Sequence, residues 1–213
     1  MKEDILEQLI DGHFLRKPKT FTKHNVKYKP GLEHKTEIDK KDINKYSVSS
    51  DIDILAIQLE NIDDKVEIKV SVVSCKSWQS GFDIDLYYNQ LNKDEDKIEA
   101  RYWKSFRELV EPNWSRAFRE KIFEETGSFD FTYYIAVTKI RTSKKRIEFE
   151  TCEKFLKNLS DNGKYKVEIK FLELDKIIQD IFHEEKNTTL ESTEIGRFMQ
   201  LVKASGLDIS LKK

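Results

Sequence analysis

The chain has 213 residues, of which 38% are hydrophobic and 36% are charged, and this size predicts one domain with one core over residues 1–213. The formal net charge of -1 excludes a uniformly basic nucleic-acid-binding surface and leaves local basic patches as the alternative. Two cysteines without a CxxC pair and four histidines without ligand spacing exclude a disulfide framework and a structural zinc site.

The first 35 residues predict a helix followed by a basic loop. Apolar residues at helical spacing predict an amphipathic helix over residues 3–15. This segment is too acidic for a signal peptide, and no stretch is long and apolar enough to span a membrane, so we expect a cytoplasmic protein without membrane contact. Residues 16–35 hold seven Lys or Arg residues against one acid, and Pro18, Pro30 and Gly31 interrupt them. This composition predicts an irregular basic loop.

The next segment predicts an antiparallel hairpin. Residues 45–59 alternate and then become continuously apolar, as in a strand whose far end is buried on both faces. Residues 66–76 form a second such run, and the sequence NIDD at residues 61–64 is typical of a turn between strands.

The remainder predicts helices alternating with strands. Apolar spacing predicts helices at residues 82–91, 102–110, 114–126, 152–159, 174–184 and 193–204. Aromatic and β-branched residues predict strands at residues 130–140 and 165–172. We expect residues 185–213 to form a C-terminal helical appendage. The element order predicts an α/β fold with a central mixed β-sheet flanked by helices on both faces.

Charged residues stand at the ends of the two hairpin strands. Asp51 and Asp53 open the first strand and Lys76 closes the second, so pairing of the strands brings them together at the rim of the sheet. Carboxylates hold a hard cation and a lysine orients or deprotonates water, which is what metal-assisted phosphodiester cleavage needs. The residues alone also allow structural roles without catalysis, in which Lys76 extends its ammonium group into solvent and Asp51 is a turn residue.

The sequences DIDILA and CKSWQ, which contain these residues, resemble the PD-(D/E)XK nuclease superfamily, in particular Mrr-like and related restriction endonucleases. The resemblance implies a restriction-endonuclease-like fold and a Mg²⁺-dependent endonuclease, with Mn²⁺ as a substitute, that cleaves double-stranded DNA in restriction or defence. It also implies a homodimer and a methylase or helicase partner. It assigns metal binding to Asp53, Asp51 and Glu7, and catalysis to Asp53, Lys76, Glu7 and Gln79.

One position departs from the family pattern. Ser74 stands two residues before Lys76, where the family usually has Asp or Glu and Mrr-like members have Gln. One anionic ligand is then missing, and two functions stay open. The first is an active nuclease in which another acid, such as Glu7 or Glu33, supplies the ligand. The second is a catalytically inactive nuclease-like module that binds nucleic acid or takes part in an assembly.

Two basic regions are candidates for contact with a DNA backbone. The predicted loop contributes Lys17, Lys19, Lys23, Lys27 and Lys29. In the helical region, Arg116 and Arg119 lie three residues apart, and Arg101, Lys104 and Arg107 repeat that spacing. These spacings predict stripes that face phosphate groups, although a solvated helix face gives the same pattern.

Overall fold

The computed structural model describes residues 3–31, 48–62, 65–78, 80–94 and 97–184, with residues 197, 200–202 and 204–205. The strands in this part of the chain are β1 (Thr20–Tyr28), β2 (Ser50–Ile62), β3 (Lys65–Lys76), β4 (Phe82–Asp83), β5 (Phe131–Val137), β6 (Ile140–Thr142) and β7 (Val167–Glu173). The helices in the same part are α1 (Glu3–Leu15), α2 (Ile84–Leu91), α3 (Ala100–Ser105), α4 (Arg107–Val110), α5 (Pro112–Thr126), α6 (Arg146–Glu150), α7 (Glu153–Ser160) and α8 (Leu174–Glu184).

A five-stranded mixed sheet forms the centre of the fold. Its order is β1-β2-β3-β5-β7, with antiparallel pairing between β1, β2 and β3 and parallel pairing between β3, β5 and β7. Strands β4 and β6 form a separate two-stranded parallel sheet. Because parallel neighbours need a crossover connection, helices separate β3 from β5 and β5 from β7. The predicted antiparallel hairpin and the predicted mixed sheet are confirmed.

Helices cover both faces of the sheet, as predicted. On one face, called the α1 face, α1 and α8 contribute Leu6, Leu9, Ile10, Phe14 and Ile177, which pack against Ile54, Ala56, Val73, Cys75 and Ala136. On the opposite face, called the α5 face, helices α2 to α7 build a largely aromatic cluster that includes Phe106, Trp114, Phe118, Phe149, Phe155 and Tyr133. Burial of each such side chain stabilises the fold by about 1.5–3 kcal/mol.

The prediction of an irregular loop over residues 16–35 is wrong for residues 20–28, which form strand β1 at the edge of the sheet. Val26 and Tyr28 are buried while Lys23, Lys27 and Lys29 are exposed. An edge strand tolerates lysines on its solvent side, so the charge that resembled a loop is compatible with a strand. Residues 32–47 lie outside the described part of the chain.

Breaks in the helical region set the position of α4. The predicted helix over residues 102–110 is divided at Phe106, whose φ of -150° and ψ of 45° end α3 before α4 begins. Helix α5 begins at Pro112, with the Glu111 carboxylate accepting hydrogen bonds from the backbone N–H groups of Asn113 and Trp114. The helix ends before Gly127, whose φ of 71° lies in the left-handed region that favours glycine.

The described residues include no helix that is long and apolar enough to cross a membrane. The helix predicted at residues 193–204, and the appendage predicted for residues 185–213, fall largely outside the described part of the chain.

Candidate active site

A cavity of about 210 Å³ opens on the α5 face, beside the end of β3 and the beginning of β2. It is lined by Tyr28, Ser49, Ser50, Asp51, Ile52, Asp53, Val73, Ser74, Lys76, Lys104, Ser105, Arg107, Glu108, Phe118 and Tyr133. Three of the predicted site residues, Asp51, Asp53 and Lys76, therefore lie in the wall of one cavity.

An irregularity in the sheet sets the position of Asp53. The ladder between β1 and β2 leaves out Asn25 and Asp53, and Asn25 has a left-handed φ of 52°. On either side of Asp53, Ile52 packs on the α5 face and Ile54 on the α1 face. The alternation of side chains along β2 is therefore interrupted at Asp53, and such local irregularities re-aim a side chain.

The backbone of β3 fixes the Asp53 carboxylate. Its Oδ2 accepts a hydrogen bond from the backbone N–H of Cys75 at 2.5 Å. The β2–β3 ladder ends on this side with the pair of Ile54 and Val73, so Asp53 lies just beyond the paired register. Asp51 is exposed at the rim, whereas Asp53 is partly buried.

Lys76 lies over an aromatic ring. Its Nζ is 5.5 Å from the centre of the Phe106 ring, and its side chain is partly exposed. Among the residues that the structure describes, no acidic side chain forms an ion pair with it. The Lys76 ammonium group therefore contacts an aromatic ring, and the residue lines the cavity.

Ser74 is part of a hydrogen-bond network that ends on a buried carboxylate. The Ser74 hydroxyl is hydrogen-bonded to the Tyr133 hydroxyl, which donates to Glu108. Tyr28 donates to the other oxygen of Glu108 at 3.2 Å and is in turn hydrogen-bonded to Ser50. The cavity wall thus contains a carboxylate that Tyr133 links to Ser74, although the sequence has none at position 74.

Burial and the charge of Glu108 both act on the two tyrosines. Burial raises the pKa of Tyr133 well above its ordinary value, and the adjacent Glu108 carboxylate raises it further. The pKa of Tyr28 is raised for the same reasons, in the same order. Both phenols therefore stay neutral in the folded protein at ordinary pH and act as hydrogen-bond donors.

Glu108 was not among the predicted site residues. Its side chain is 5% exposed, and its helix α4 is held by the Ser115 hydroxyl, which donates to the Glu108 carbonyl at 2.5 Å, and by the Asn158 amide, which donates to the Leu109 carbonyl at 2.8 Å. The available signal was an acid inside the apolar run FRELV at residues 106–110, because a buried acid needs partners.

Arg107 also lines the cavity, and the structure corrects the stripe predicted from its spacing with Arg101 and Lys104. Arg101 and Lys104 are exposed, but Arg107 is 9% exposed. The break at Phe106 separates Arg107 from the helix that carries the other two, so the three residues do not share one face.

The second predicted stripe is divided as well. Arg116 is exposed, whereas Arg119 is buried and donates to the Asn158 carbonyl and, at 3.3 Å, to Asp161 Oδ1. Arg119 therefore joins α5 to α7 and its turn, and its guanidinium does not lie on the exposed surface with Arg116.

The remaining predicted residues lie elsewhere or outside the described chain. Glu7 does not line the cavity, since α1 packs on the α1 face, and Gln79 lies outside the described residues. Its neighbour Trp78 stacks on Phe82 and Tyr87 at the edge of the aromatic cluster.

The predicted DNA-contacting lysines follow the chain from α1 into β1. The Nζ of Lys17 lies 5.1 Å from the centre of the Phe14 ring, and Lys19 is exposed with a φ of 56°. Lys23 forms an ion pair with Glu125 at 2.6 Å. The exposed Lys27 and Lys29 flank Tyr28, whose side chain lines the cavity.

The donor chemistry of the cavity fits a hard cation with few protein ligands. Asp53 and Asp51 supply carboxylate oxygens, which is the ligand type that Mg²⁺ takes, and Mg²⁺ commonly binds one or two carboxylates together with water and phosphate oxygens. Within the described ranges, no group of three or more His, Cys, Asp or Glu side chains is arranged to hold a metal ion.

Comparisons with models of known protein families, with curated proteins and with solved structures give no match to this chain.

Proposed function

We propose that the protein is a metal-dependent endonuclease that hydrolyses phosphodiester bonds of DNA, of the PD-(D/E)XK kind and acting in restriction or defence. The observation that carries the proposal is the single cavity that contains Asp51, Asp53 and Lys76. Strand β1 adds support. The PD-(D/E)XK superfamily carries the metal-binding Asp on its second core strand and the Lys on its third, and β1 makes the strands of Asp53 and Lys76 the second and third of the described chain.

Each residue has a defined role in this reaction. Asp53 and Asp51 would hold Mg²⁺, which offsets the negative charge of phosphate during hydrolysis. Lys76, which lines the same cavity, donates a hydrogen bond to the attacking water and positions it, and the proton of the water passes to solvent. The water oxygen bonds to phosphorus, and the bond from phosphorus to the leaving sugar oxygen breaks.

A second function is favoured by a specific observation. Ser74, where the family has a carboxylate, is engaged with Tyr133, and no three-ligand acidic group is present among the described residues. This arrangement also suits a catalytically inactive nuclease-like module that binds DNA through its basic side chains or serves in an assembly.

Cleavage of supercoiled plasmid DNA with Mg²⁺ or Mn²⁺ tests the first function. Asp53→Asn removes the charge but keeps an oxygen for the Cys75 N–H, and Lys76→Met keeps the apolar stem over Phe106. We expect each substitution to slow cleavage by about 10²- to 10³-fold, because it removes a group that stabilises the transition state.

The matched controls lie at the other end of the same two strands. Glu60→Gln and Lys69→Met remove an ion pair of 3.7 Å between partly or well exposed side chains and should cleave at the wild-type rate. Equal cleavage by the wild-type protein and all four variants would contradict the assignment of Asp53 and Lys76. Salt-sensitive DNA binding by a wild-type protein that never cleaves would favour the inactive module.

A further inference from the structure

Arg107 is a buried cation with donors that the described part of the chain does not satisfy. Its side chain is 9% exposed, and its Nε and Nη1 atoms are buried without a hydrogen-bond partner among the described residues. No acid in this part of the chain forms an ion pair with it. A buried donor without a partner destabilises the folded state, and more so when it is charged, so such a group calls for an explanation.

Two tryptophans hold the guanidinium in place. Its Cζ lies 4.3 Å from the centre of the Trp114 ring and 5.1 Å from that of Trp103. Cation–π contacts of this kind offset part of the cost of burying the charge. The indole rings offer no oxygen acceptor to the N–H donors, which lie in the plane of the guanidinium. The two rings therefore contact Arg107 without satisfying its hydrogen-bonding groups.

The guanidinium borders the same cavity as two other cations. Lys76 and Lys104 line it together with Arg107, and Lys104 is exposed at its mouth. The cavity wall therefore combines a guanidinium with two lysines, and the planar fork of an arginine matches the oxygens of a phosphate.

We propose that Arg107 binds a phosphate group of the nucleic-acid backbone through paired N–H···O hydrogen bonds, with Lys76 and Lys104 completing the phosphate site. Identification of the ligand as DNA rests on the proposed function, whereas phosphate binding by the cavity does not. Arg107 is thereby assigned to substrate binding from within the cavity wall, and not as part of an exposed helix stripe.

Binding measured without metal separates this inference from the nuclease activity. In EDTA, the wild-type protein is titrated with inorganic phosphate against chloride of equal ionic strength, and tryptophan fluorescence and the Tm are followed. We expect phosphate to change the fluorescence, since Trp103 and Trp114 contact the guanidinium, and to raise the Tm. An identical response to phosphate and chloride would overturn the proposal.

Substitutions test the residue itself. Arg107→Met keeps the volume between the two indole rings but removes the donors, and Arg107→Lys keeps the charge but loses the planar fork. For a fluorescent DNA duplex in EDTA, we expect either variant to weaken binding about tenfold or more, since hydrogen bonds to a charged group are lost. If Arg107→Met does not fold, Arg107→Lys carries the same prediction.

Arg101→Met is the matched control. Arg101 lies on the neighbouring helix α3, its side chain is 71% exposed, and it contacts Glu99 at 3.2 Å rather than the cavity. This variant should bind phosphate and duplex DNA as the wild-type protein does. A folded Arg107 variant that retains wild-type binding of both probes disproves the site, whatever the cleavage assay shows. Conversely, loss of binding only in the Arg107 variants supports it even if no protein cleaves DNA.

Discussion

The two ends of the β2–β3 hairpin carry the same kinds of charged residue in different environments. Near the turn, Glu60 and Lys69 form an ion pair at 3.7 Å on the sheet surface. At the other end, Asp53 accepts a backbone hydrogen bond from Cys75, and Lys76 lies over Phe106. Near the turn, the charges of Glu60 and Lys69 pair with each other in solvent. At the cavity, a backbone N–H group binds the Asp53 carboxylate and the Phe106 ring contacts the Lys76 ammonium group.

The difference shows why residue type alone does not identify a site. An exposed ion pair contributes about 0–1 kcal/mol to the free energy of unfolding and does not fix the position of other side chains. At the cavity end, the acids and cations are fixed by elements distant in the chain, and Ser74 joins them to Glu108 through Tyr133. Charge that is held rigidly beside a cavity can act on a ligand, because no reorganisation is needed at the moment of binding.

The largest effect on stability should come from Glu108→Ala. The substitution leaves the hydroxyls of Tyr28 and Tyr133, both in nearly fully buried side chains, without their acceptor. We expect a loss of about 2–5 kcal/mol in the free energy of unfolding, measured by urea denaturation. The control Glu67→Ala, on the exposed surface near the turn, should change it by less than about 0.5 kcal/mol.

A second background tests the cause of that loss. In a protein that carries Tyr28→Phe and Tyr133→Phe, the same Glu108→Ala substitution should cost clearly less, because no buried hydroxyl is left unsatisfied. An equal cost in both backgrounds would show that packing of Glu108, and not its hydrogen bonds, stabilises the cavity wall.

A smaller effect is expected at Asp53. Asp53→Ala removes the acceptor of the Cys75 N–H, which lies in a fully buried residue, and should lower the free energy of unfolding by about 1–3 kcal/mol. Asp53→Asn keeps an acceptor oxygen and should cost less than about 1 kcal/mol. Glu60→Ala serves as the surface control in the same urea series. Equal losses for the Ala and Asn variants would mean that the hydrogen bond does not contribute.

The smallest effect is a pH dependence in the alkaline range. Because burial and Glu108 raise the pKa of Tyr133, the folded state retains the phenol proton above pH 10, where the unfolded chain releases it. The stabilisation that Tyr133 adds to the free energy of unfolding is complete below the pKa of the unfolded chain. It is lost as the pH rises towards the pKa of the folded state, by at most about 1.4 kcal/mol per pH unit.

Tyr133→Phe removes this titration. Between pH 9 and 11 its free energy of unfolding should fall less steeply than that of the wild-type protein, while Glu67→Ala should follow the wild-type slope. Parallel curves for the wild-type protein and Tyr133→Phe would show that the phenol does not titrate differently in the two states.

The hairpin and the helices were predictable because their signals are local. The NIDD turn between two apolar runs predicted the antiparallel pairing of β2 and β3, and Gly127 predicted the end of α5. Strand β1 was not predictable in the same way. Its lysines face solvent at an edge, and a basic edge strand has the composition of a basic loop.

The candidate site was predictable only in part. Asp51, Asp53 and Lys76 follow from their places at the ends of two consecutive strands, since pairing those strands brings them together. Glu108 and Arg107 come from α4, a helix of four residues, and no periodicity or spacing connects them with Ser74 or Lys76. Their burial depends on how α4 packs against the sheet and α5.

The sequence by itself determined most element types other than β1, the hairpin, and the acids and lysine at its open end, because helical and strand periodicity and strand pairing are local properties of the chain. Only the tertiary structure decided which charges are buried. It placed Ser74 against Tyr133 and Glu108, and Arg107 between Trp103 and Trp114. The physical reason is that desolvation, hydrogen-bond satisfaction and ring stacking depend on contacts between elements that are distant in the sequence.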